Sequence, residues 1–287
     1  MEKQQYLLKL DISGIQSFIF DVKSKGAANE LKGRSIYVYS ITEIAHQLLL
    51  DKFPHNFSVV YKGGGNLVVK ITANQEELER VTHTFQSYFL WDQLFPFIAF
   101  INTDGIDFKK QMQTLNQALK IKELQRTFSP DKKDIDNDAP ENHWKDFTKE
   151  LATSQGFEIV KCNENDSVKK SGLTKAGYIF KLTNSNNAFT NKLLNKIYLL
   201  ENGSVVTFDQ IAANCINERK VDNKLAALKI DVDNLSKIFR ERNEAEYMIV
   251  SRKIDQFFSE TIYQQLLKNG IDSGNIYPLF AGGDDCF

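Results

Sequence analysis

The chain states one pattern twice, and that repeat constrains its fold more than any other feature. Near the start it reads Leu8-Lys9-Leu10-Asp11, then an amphipathic run, then Gly63-Gly64-Gly65-Asn66. Far downstream it reads Leu228-Lys229-Ile230-Asp231, a second amphipathic run, then Gly282-Gly283-Asp284-Asp285. Asp11 and Gly63 lie 52 positions apart, and Asp231 and Gly282 lie 51 apart. One strand–helix–strand unit ending in a glycine turn fits both places. The repeat predicts a duplicated catalytic domain in which only the later copy keeps acids at its turn, and with them the metal-binding chemistry.

Local patterns fill in each copy. Tyr6 to Asp11 alternates as a strand, and Ser13 offers an N-cap to a helix with Ile15, Phe18, Ile19 and Val22 at helical spacing. Lys23 to Gly33 reads as a loop rich in Gly, Lys and Ala, before a helix from about Ser35 to Lys52. Phe57 to Tyr61 and Leu67 to Ile71 read as strands around the glycine turn, where glycine supplies the positive φ of a tight hairpin. A helix over 76–94 and an apolar strand over 95–101 complete a β-α-α-β-β-α-β order. That order is a ferredoxin-like plan with one extra helix. Another amphipathic helix follows over 107–126.

The second copy starts near Lys224, with a strand over 225–231, a short helix from Asn234, a longer one over 244–267 and a strand over 276–281. Return strand, next helix and fourth strand are expected beyond Phe287, which makes the chain a fragment or half of a split protein. Between the copies, 129–142 is polar with two prolines and reads as an exposed linker. Strands are expected over 157–160, 178–182 and 197–200, with Asn202-Gly203 as a hairpin turn. The expected fold class is α+β: two ferredoxin-like (palm or nucleotidyl cyclase) domains, the second incomplete, with a small inserted domain between them. The boundaries are 1–126, 127–222 and 223–287.

Composition narrows the function classes. The 287 residues suffice for two cores, and 42% hydrophobic with 25% charged residues is ordinary for a globular protein. Net charge is −1, so no global basic field advertises nucleic acid, and such binding must come from local patches or a partner. Cys162, Cys215 and Cys286 form no CxxC pair, and unpaired cysteines fit a reducing cytoplasm. His46, His55, His83 and His143 are never followed by Asp, so the His-Asp signature of a metal phosphohydrolase is missing from these residues. The polar N-terminus does not read as a signal peptide, and no apolar stretch is long enough to span a bilayer. The expectation is a cytoplasmic protein without membrane contact.

The acids of the second copy suit phosphoryl transfer. Mg²⁺ takes oxygen ligands and is usually held by one or two carboxylates together with substrate phosphates. In a ferredoxin-like sheet the end of the first strand lies beside the tip of the central hairpin. Asp231 at that end, with Asp284 and Asp285 at the tip, could therefore share Mg²⁺ or Mn²⁺. Gly282 and Gly283 let backbone approach a triphosphate with no Cβ in the way. Val232, Asp233, Asn234, Leu235 and Ser236 turn from strand into helix, where backbone N–H groups suit phosphate. In the first copy Asp11 has no acidic partner at the turn and reads as structural or helix-starting. Blander readings stand beside these: Gly-Gly-Asp-Asp is also a good hairpin turn, and Asp233 or Asn234 a good helix cap. Lys23, Lys25, Lys32 and Arg34 form a basic loop, either solvated or in contact with phosphates.

These residues resemble a known family. Asp11-Ile12-Ser13-Gly14-Ile15-Gln16, Ser24-Lys25-Gly26-Ala27 and Leu31-Lys32-Gly33-Arg34-Ser35 resemble the first palm of the large, Csm-type subunit of type III CRISPR effector complexes. Leu228 to Leu235 with Gly282-Gly283-Asp284-Asp285 resembles the second palm, and the degenerate Gly63-Gly64-Gly65-Asn66 fits a first palm lacking the acidic pair. The resemblance covers roughly 1–126 and 223–287. It implies a palm/cyclase enzyme that converts ATP to cyclic oligoadenylate, with the acidic turn serving one nucleotide and Gly63, Gly64 and Gly65 leaving room for a second, working with other subunits of the ribonucleoprotein and, through them, with crRNA and target RNA. Three departures accompany it: no HD nuclease signature, no zinc-binding cysteine pairs over 144–220, and no remainder of the second palm. Two other readings compete. A diguanylate cyclase carries a related turn, but Asp285-Cys286-Phe287 departs from its Glu-Phe ending. A non-catalytic scaffold for the complex is the third.

Overall fold

The structure, a computed structural model, describes residues 2–22, 27–88, 94–127, 156–161, 178–183, 207–213, 224–271, 276–279, 281–282 and 285–286. Its first half is built on β1 (Gln4–Ser13), β2 (Phe57–Gly63), β3 (Asn66–Ala73) and β4 (Phe95–Asn102), in the antiparallel order β2-β3-β1-β4. That is the ferredoxin-like order expected from the sequence. β1 lies in the centre, running from Gln4↔Ala73 to Asp11↔Asn66 on one side and from Tyr6↔Asn102 to Ser13↔Phe95 on the other.

Alternation along β1 divides its side chains between two cores. Tyr6, Leu8, Leu10 and Ile12 join α1 (Ile15–Phe20), α2 (Ala27–Lys52) and α3 (Gln75–Tyr88) on one face. Leu7 points to the other face, under α4 (Phe108–Thr127), with Val68, Phe97, Ala99 and Leu115. Leu7, Leu8 and Leu10 are fully buried, and each stabilises the fold by about 1.5–3 kcal/mol.

Helix α2 begins at Ala27, where a loop to Gly33 is expected from sequence. Tertiary contact decides this. Leu31, Lys32 and Ser35 are buried and the helix is enclosed on nearly every side, so residues that read as a polar loop are held helical by packing. Strand β2 would be an exposed edge, but a helix of the second copy, α7 (Glu244–Gln256), packs along it.

The second copy is sparser. After α5 (Phe208–Ala213) come β7 (Ile230–Asp231), α6 (Leu235–Arg240) and α7, which starts with a capping box between Asn243 and Glu246. The expected single helix over 244–267 is interrupted by a π-helical turn over Phe257–Thr261 before α8 (Ile262–Lys268). Strand β8 (Ala281–Gly282) and β9 (Asp285–Cys286) close a three-stranded sheet of order β7-β9-β8. Three expectations are corrected. The strand over 225–231 pairs only at 230–231, and Leu225 and Leu228 stay exposed. The strand over 276–281 begins only at Ala281. The return strand, expected beyond the chain, starts as β9 at Asp285 itself.

Between the copies β5 (Gly156–Lys161) and β6 (Tyr178–Thr183) pair as an antiparallel hairpin, matching two of the three strands expected there. The strand over 197–200, the Asn202-Gly203 turn and the linker over 129–142 lie outside the described residues. Among the described residues no helix is long and apolar enough to cross a membrane.

Candidate functional site: the paired strand ends and the cleft between the copies

Strand register makes the duplication explicit. In the first copy Asp11 of β1 is the partner of Asn66 on β3, and Gly63 faces Asn66 across a two-residue turn. In the second, Asp231 of β7 is the partner of Asp285 on β9, and Gly282 faces Asp285 across a turn of the same length. Asp231 therefore stands where Asp11 stands, and Asp285 stands where Asn66 stands. The strand-to-helix corner is duplicated too. Gly14 caps α1 with φ 85°, and Asn234 caps α6 with φ 57°, both left-handed. Asn is among the few residues that tolerate this region, and its side chain makes no capping hydrogen bond here.

Asp231 is exposed, Val232 half-buried, Asp233 exposed, and Leu235 and Ser236 line a cleft described below. Gly283 and Asp284 lie outside the described residues. Among the described residues no three His, Cys, Asp or Glu side chains cluster as a metal site. The register pairs Asp231 with Asp285, residues of the type whose carboxylate oxygens suit a hard divalent cation.

The first copy's turn differs in a physical way. Gly64 and Gly65 have φ of 57° and 79°, the pair of left-handed residues that a type I′ hairpin needs. A Cβ on Gly65 would lie 2.4 Å from Ile15 Cδ1, so this turn is packed against α1. Gly63 and Gly65 are buried, and the fold itself asks for glycine there.

The cleft, of about 750 Å³, separates the first copy's sheet and α4 from α6 and the start of α7. Lys9, Asp11 and Asn66 floor it, and Lys109, Arg240 and Arg242 stand around it. Lys9 Nζ donates to Asn116 Oδ1 at 3.1 Å and lies 3.8 Å from Asp11 Oδ2. Burial pushes the Asp11 carboxyl up, Lys9 opposes that, and Glu123 adds to it. Phe239 and Tyr247 stack 4.1 Å apart behind the cleft, and Tyr247 meets Phe108 edge-on at 5.6 Å. Burial pushes the Tyr247 hydroxyl up to about 12, so it stays neutral as part of an apolar wall. Lys109 to Glu241 at 2.9 Å and Lys70 to Glu244 pin the two copies together around it. Sequence reading missed Lys9, Lys109, Arg240 and Arg242 because their sequence separation hides that they share one space.

The basic segment divides differently from either expectation. Lys32 is fully buried, and its Nζ donates to the Pro278 carbonyl at 2.7 Å. Arg34 donates to Phe18 O at 2.6 Å and to the Glu30 carboxylate at 2.7 Å. Both are internal ties rather than a solvated or phosphate-binding loop, while Lys23 and Lys25 lie outside the described residues.

Comparison with known proteins agrees with this arrangement. The family described as Csm1 subunit domain B matches residues 4–151, just over half of the chain, and the Cas10/Cmr2 second palm domain matches 224–287. The chain is similar to the CRISPR system single-strand-specific deoxyribonuclease Cas10/Csm1 (subtype III-A) of Streptococcus thermophilus, at 37% identity over 90 residues, 31% of this chain and 12% of that protein. The protein of the same description from Mycobacterium tuberculosis is 34% identical over 86 residues, 30% of this chain and 10% of that protein. In three dimensions the chain resembles Csm1 in the Csm1-Csm4 subcomplex of the type III-A CRISPR-Csm interference complex, with a TM-score of 0.76 at 19% identity, over 99% of this chain and 45% of that one. A Csm1-Csm4 cassette in complex with one ATP gives 0.75 at 18% identity over the same shares. The chain thus spans less than half the length of the solved relatives. With an acidic and a non-acidic palm in matching register and both family domains found in order, the chain belongs to the Csm1 (Cas10) family of type III-A CRISPR systems.

Proposed function

We propose that the chain is the palm-bearing part of a metal-dependent nucleotidyltransferase that converts ATP to cyclic oligoadenylate within an RNA-guided type III CRISPR complex. The observation that carries this reading is the register of Asp231 with Asp285, where the first copy sets Asp11 against Asn66. Support also comes from fold relatives solved as Csm1-Csm4 cassettes with one ATP, AMPPNP, cA3 and cA4. The proposed division is a first palm over 1–126, an inserted region over 127–222 and a catalytic palm over 223–287. Its partners would be a Csm4-type subunit and other members of the complex, with crRNA and target RNA engaged through them, in the cytoplasm.

In this reading Asp231, Asp284 and Asp285 hold Mg²⁺ or Mn²⁺. Such ions, when bound, activate a hydroxyl and neutralise charge on the phosphates. The chain's own work is placement. Lys9, Arg240 and Arg242 give the cleft a positive lining that draws in triphosphates, and the backbone of 232–236 with Gly282 and Gly283 admits them closely. The first copy's turn, in which Gly64 is less buried than Gly63 and Gly65, would face the second nucleotide. A 3′-hydroxyl of one nucleotide attacks the α-phosphorus of the other, the bond to the β-phosphate breaks, and pyrophosphate leaves. Phosphoryl transfer asks little covalent chemistry of the protein, so positioning and charge supply most of the rate.

The test uses the full-length protein in its RNA-loaded complex with labelled ATP and Mn²⁺. Turnover of ATP in preference to GTP is expected, and Asp284→Ala with Asp285→Ala should lower it by about 10³-fold or more with folding intact. Undiminished activity in that double variant would refute the site. A preference for GTP would favour a diguanylate-cyclase reaction, and wild-type inactivity a scaffold.

A further inference from the structure

The approach to the acidic turn runs through the core of the other copy. Lys32 of α2 is wholly buried, and its ammonium reaches the Pro278 carbonyl at 2.7 Å. One residue earlier, Tyr277 Oη donates to Ala28 O at 3.4 Å, and the Tyr277 ring packs edge-on against Phe208 at 6.2 Å. One residue later, Leu279 is 5% exposed and belongs to the hydrophobic core of the first copy. The chain enters β8 at Ala281 and turns into β9 at Asp285.

Burying an ammonium is unfavourable unless it is well hydrogen-bonded, and an apolar side chain would pack this helix position at lower cost. The Pro278 carbonyl, at 2.7 Å, is a partner that this buried head holds. Proline has no N–H, so residue 278 can be gripped through the backbone only at its carbonyl. Beyond it the chain pairs Gly282 with Asp285 and, through Asp285, reaches Asp231 of β7. We propose that Lys32 is a positioning residue: through its hold on Pro278, α2 of the non-acidic copy fixes where β8 and β9 meet β7, at the Asp231↔Asp285 register. This rests on the nucleotidyltransferase reading for its kinetic consequence only, since the anchoring itself is a property of the fold. It also gives the first copy a task in the reaction although its own turn carries no acid.

The experiment is Lys32→Met in the full-length protein within its complex. Methionine keeps the apolar stem and removes the donor. Amides of 279–286 are expected to exchange about tenfold faster or more, while those of the β1–β3 ladder stay protected. The kcat for ATP should fall about tenfold with KM within about twofold, as expected when groups are misplaced rather than binding lost. Tyr277→Phe, which deletes one hydroxyl beside the same anchor, should give the same pattern at smaller size, and it serves if Lys32→Met does not fold. Unchanged exchange over 279–286, equal acceleration in both copies, or a raised KM with kcat intact would each overturn the proposal. Absence of ATP turnover in the wild type would defeat the nucleotidyltransferase reading, and the exchange measurement would still decide the anchoring.

Discussion

The two copies share one corner geometry and differ in nearly everything that stabilises it. The first copy has strands of seven to ten residues, with Leu7, Leu8 and Leu10 of β1 fully buried between two helical layers. Among the described residues of the second, Ile230 and Asp231 pair with Cys286 and Asp285, with Ile230 half-buried and Asp231 exposed. The sheet buried between two helical layers carries Asn66 and a glycine turn, and the acids belong to the other copy. Clustered carboxylates repel and do not favour folding by themselves. Here the acidic hairpin leans on a neighbour that carries no such burden: Leu279 in its core, Lys32 on its Pro278 carbonyl, and α7 along its edge strand.

The comparison breaks most readily at the paired strand ends. If only the second copy is acidic by function, Asp231→Asn should lower ATP turnover of the assembled complex by about 10³-fold. Asp11→Asn, already opposite an asparagine, should cost less than about tenfold. Equal losses in steady-state assays would mean that both copies carry acid chemistry.

A middle-sized effect is expected at the turn itself. Gly65→Ala places a methyl 2.4 Å from Ile15 Cδ1 on a backbone with φ of 79°. Ile15 can swing aside, but the left-handed strain remains, so a loss of about 1–2 kcal/mol is expected in urea unfolding. No loss would mean that the first turn is not the packed element described here. In the sequence the counterpart of Gly65 is Asp284.

The smallest effect concerns pH. Burial raises the Asp11 pKa above its usual 3.8, and Lys9 offsets this in part. A carboxyl whose folded pKa lies above its unfolded one weakens the fold when ionised, and that penalty disappears as pH falls through the folded value and below the unfolded one. Asp11→Asn should therefore be slightly more stable than wild type at neutral pH, with the gap closing on acidification, as read from urea midpoints. A gap that widens in acid would reverse the assignment and make Asp11 a net stabilising charge in this cleft.

Much of this was legible in the chain. The matched Leu-Lys-(Leu/Ile)-Asp and glycine turns, 52 and 51 positions apart, foretold equivalent strand ends because strand register depends on local alternation and turn length. Alternation in Tyr6 to Asp11 and Leu67 to Ile71 likewise foretold the central pair of strands. The basic segment was misread for the opposite reason. Lys32 and Arg34 look like a solvated loop until their partners, Pro278 and Phe18, are known, and Pro278 is 246 positions away. The cleft was equally hidden, since it joins Lys9 to Arg240 and Arg242 across most of the chain.

By itself, then, the sequence determined the α+β class, the duplication, and which copy bears Asp231, Asp284 and Asp285, because these depend on residue type and short-range period. Tertiary structure alone decided that α2 extends back to Ala27, that the two copies enclose a cationic cleft, and that the acidic hairpin is held from the other copy's core. Those outcomes rest on burial and hydrogen bonds between residues far apart in sequence, which no local pattern records.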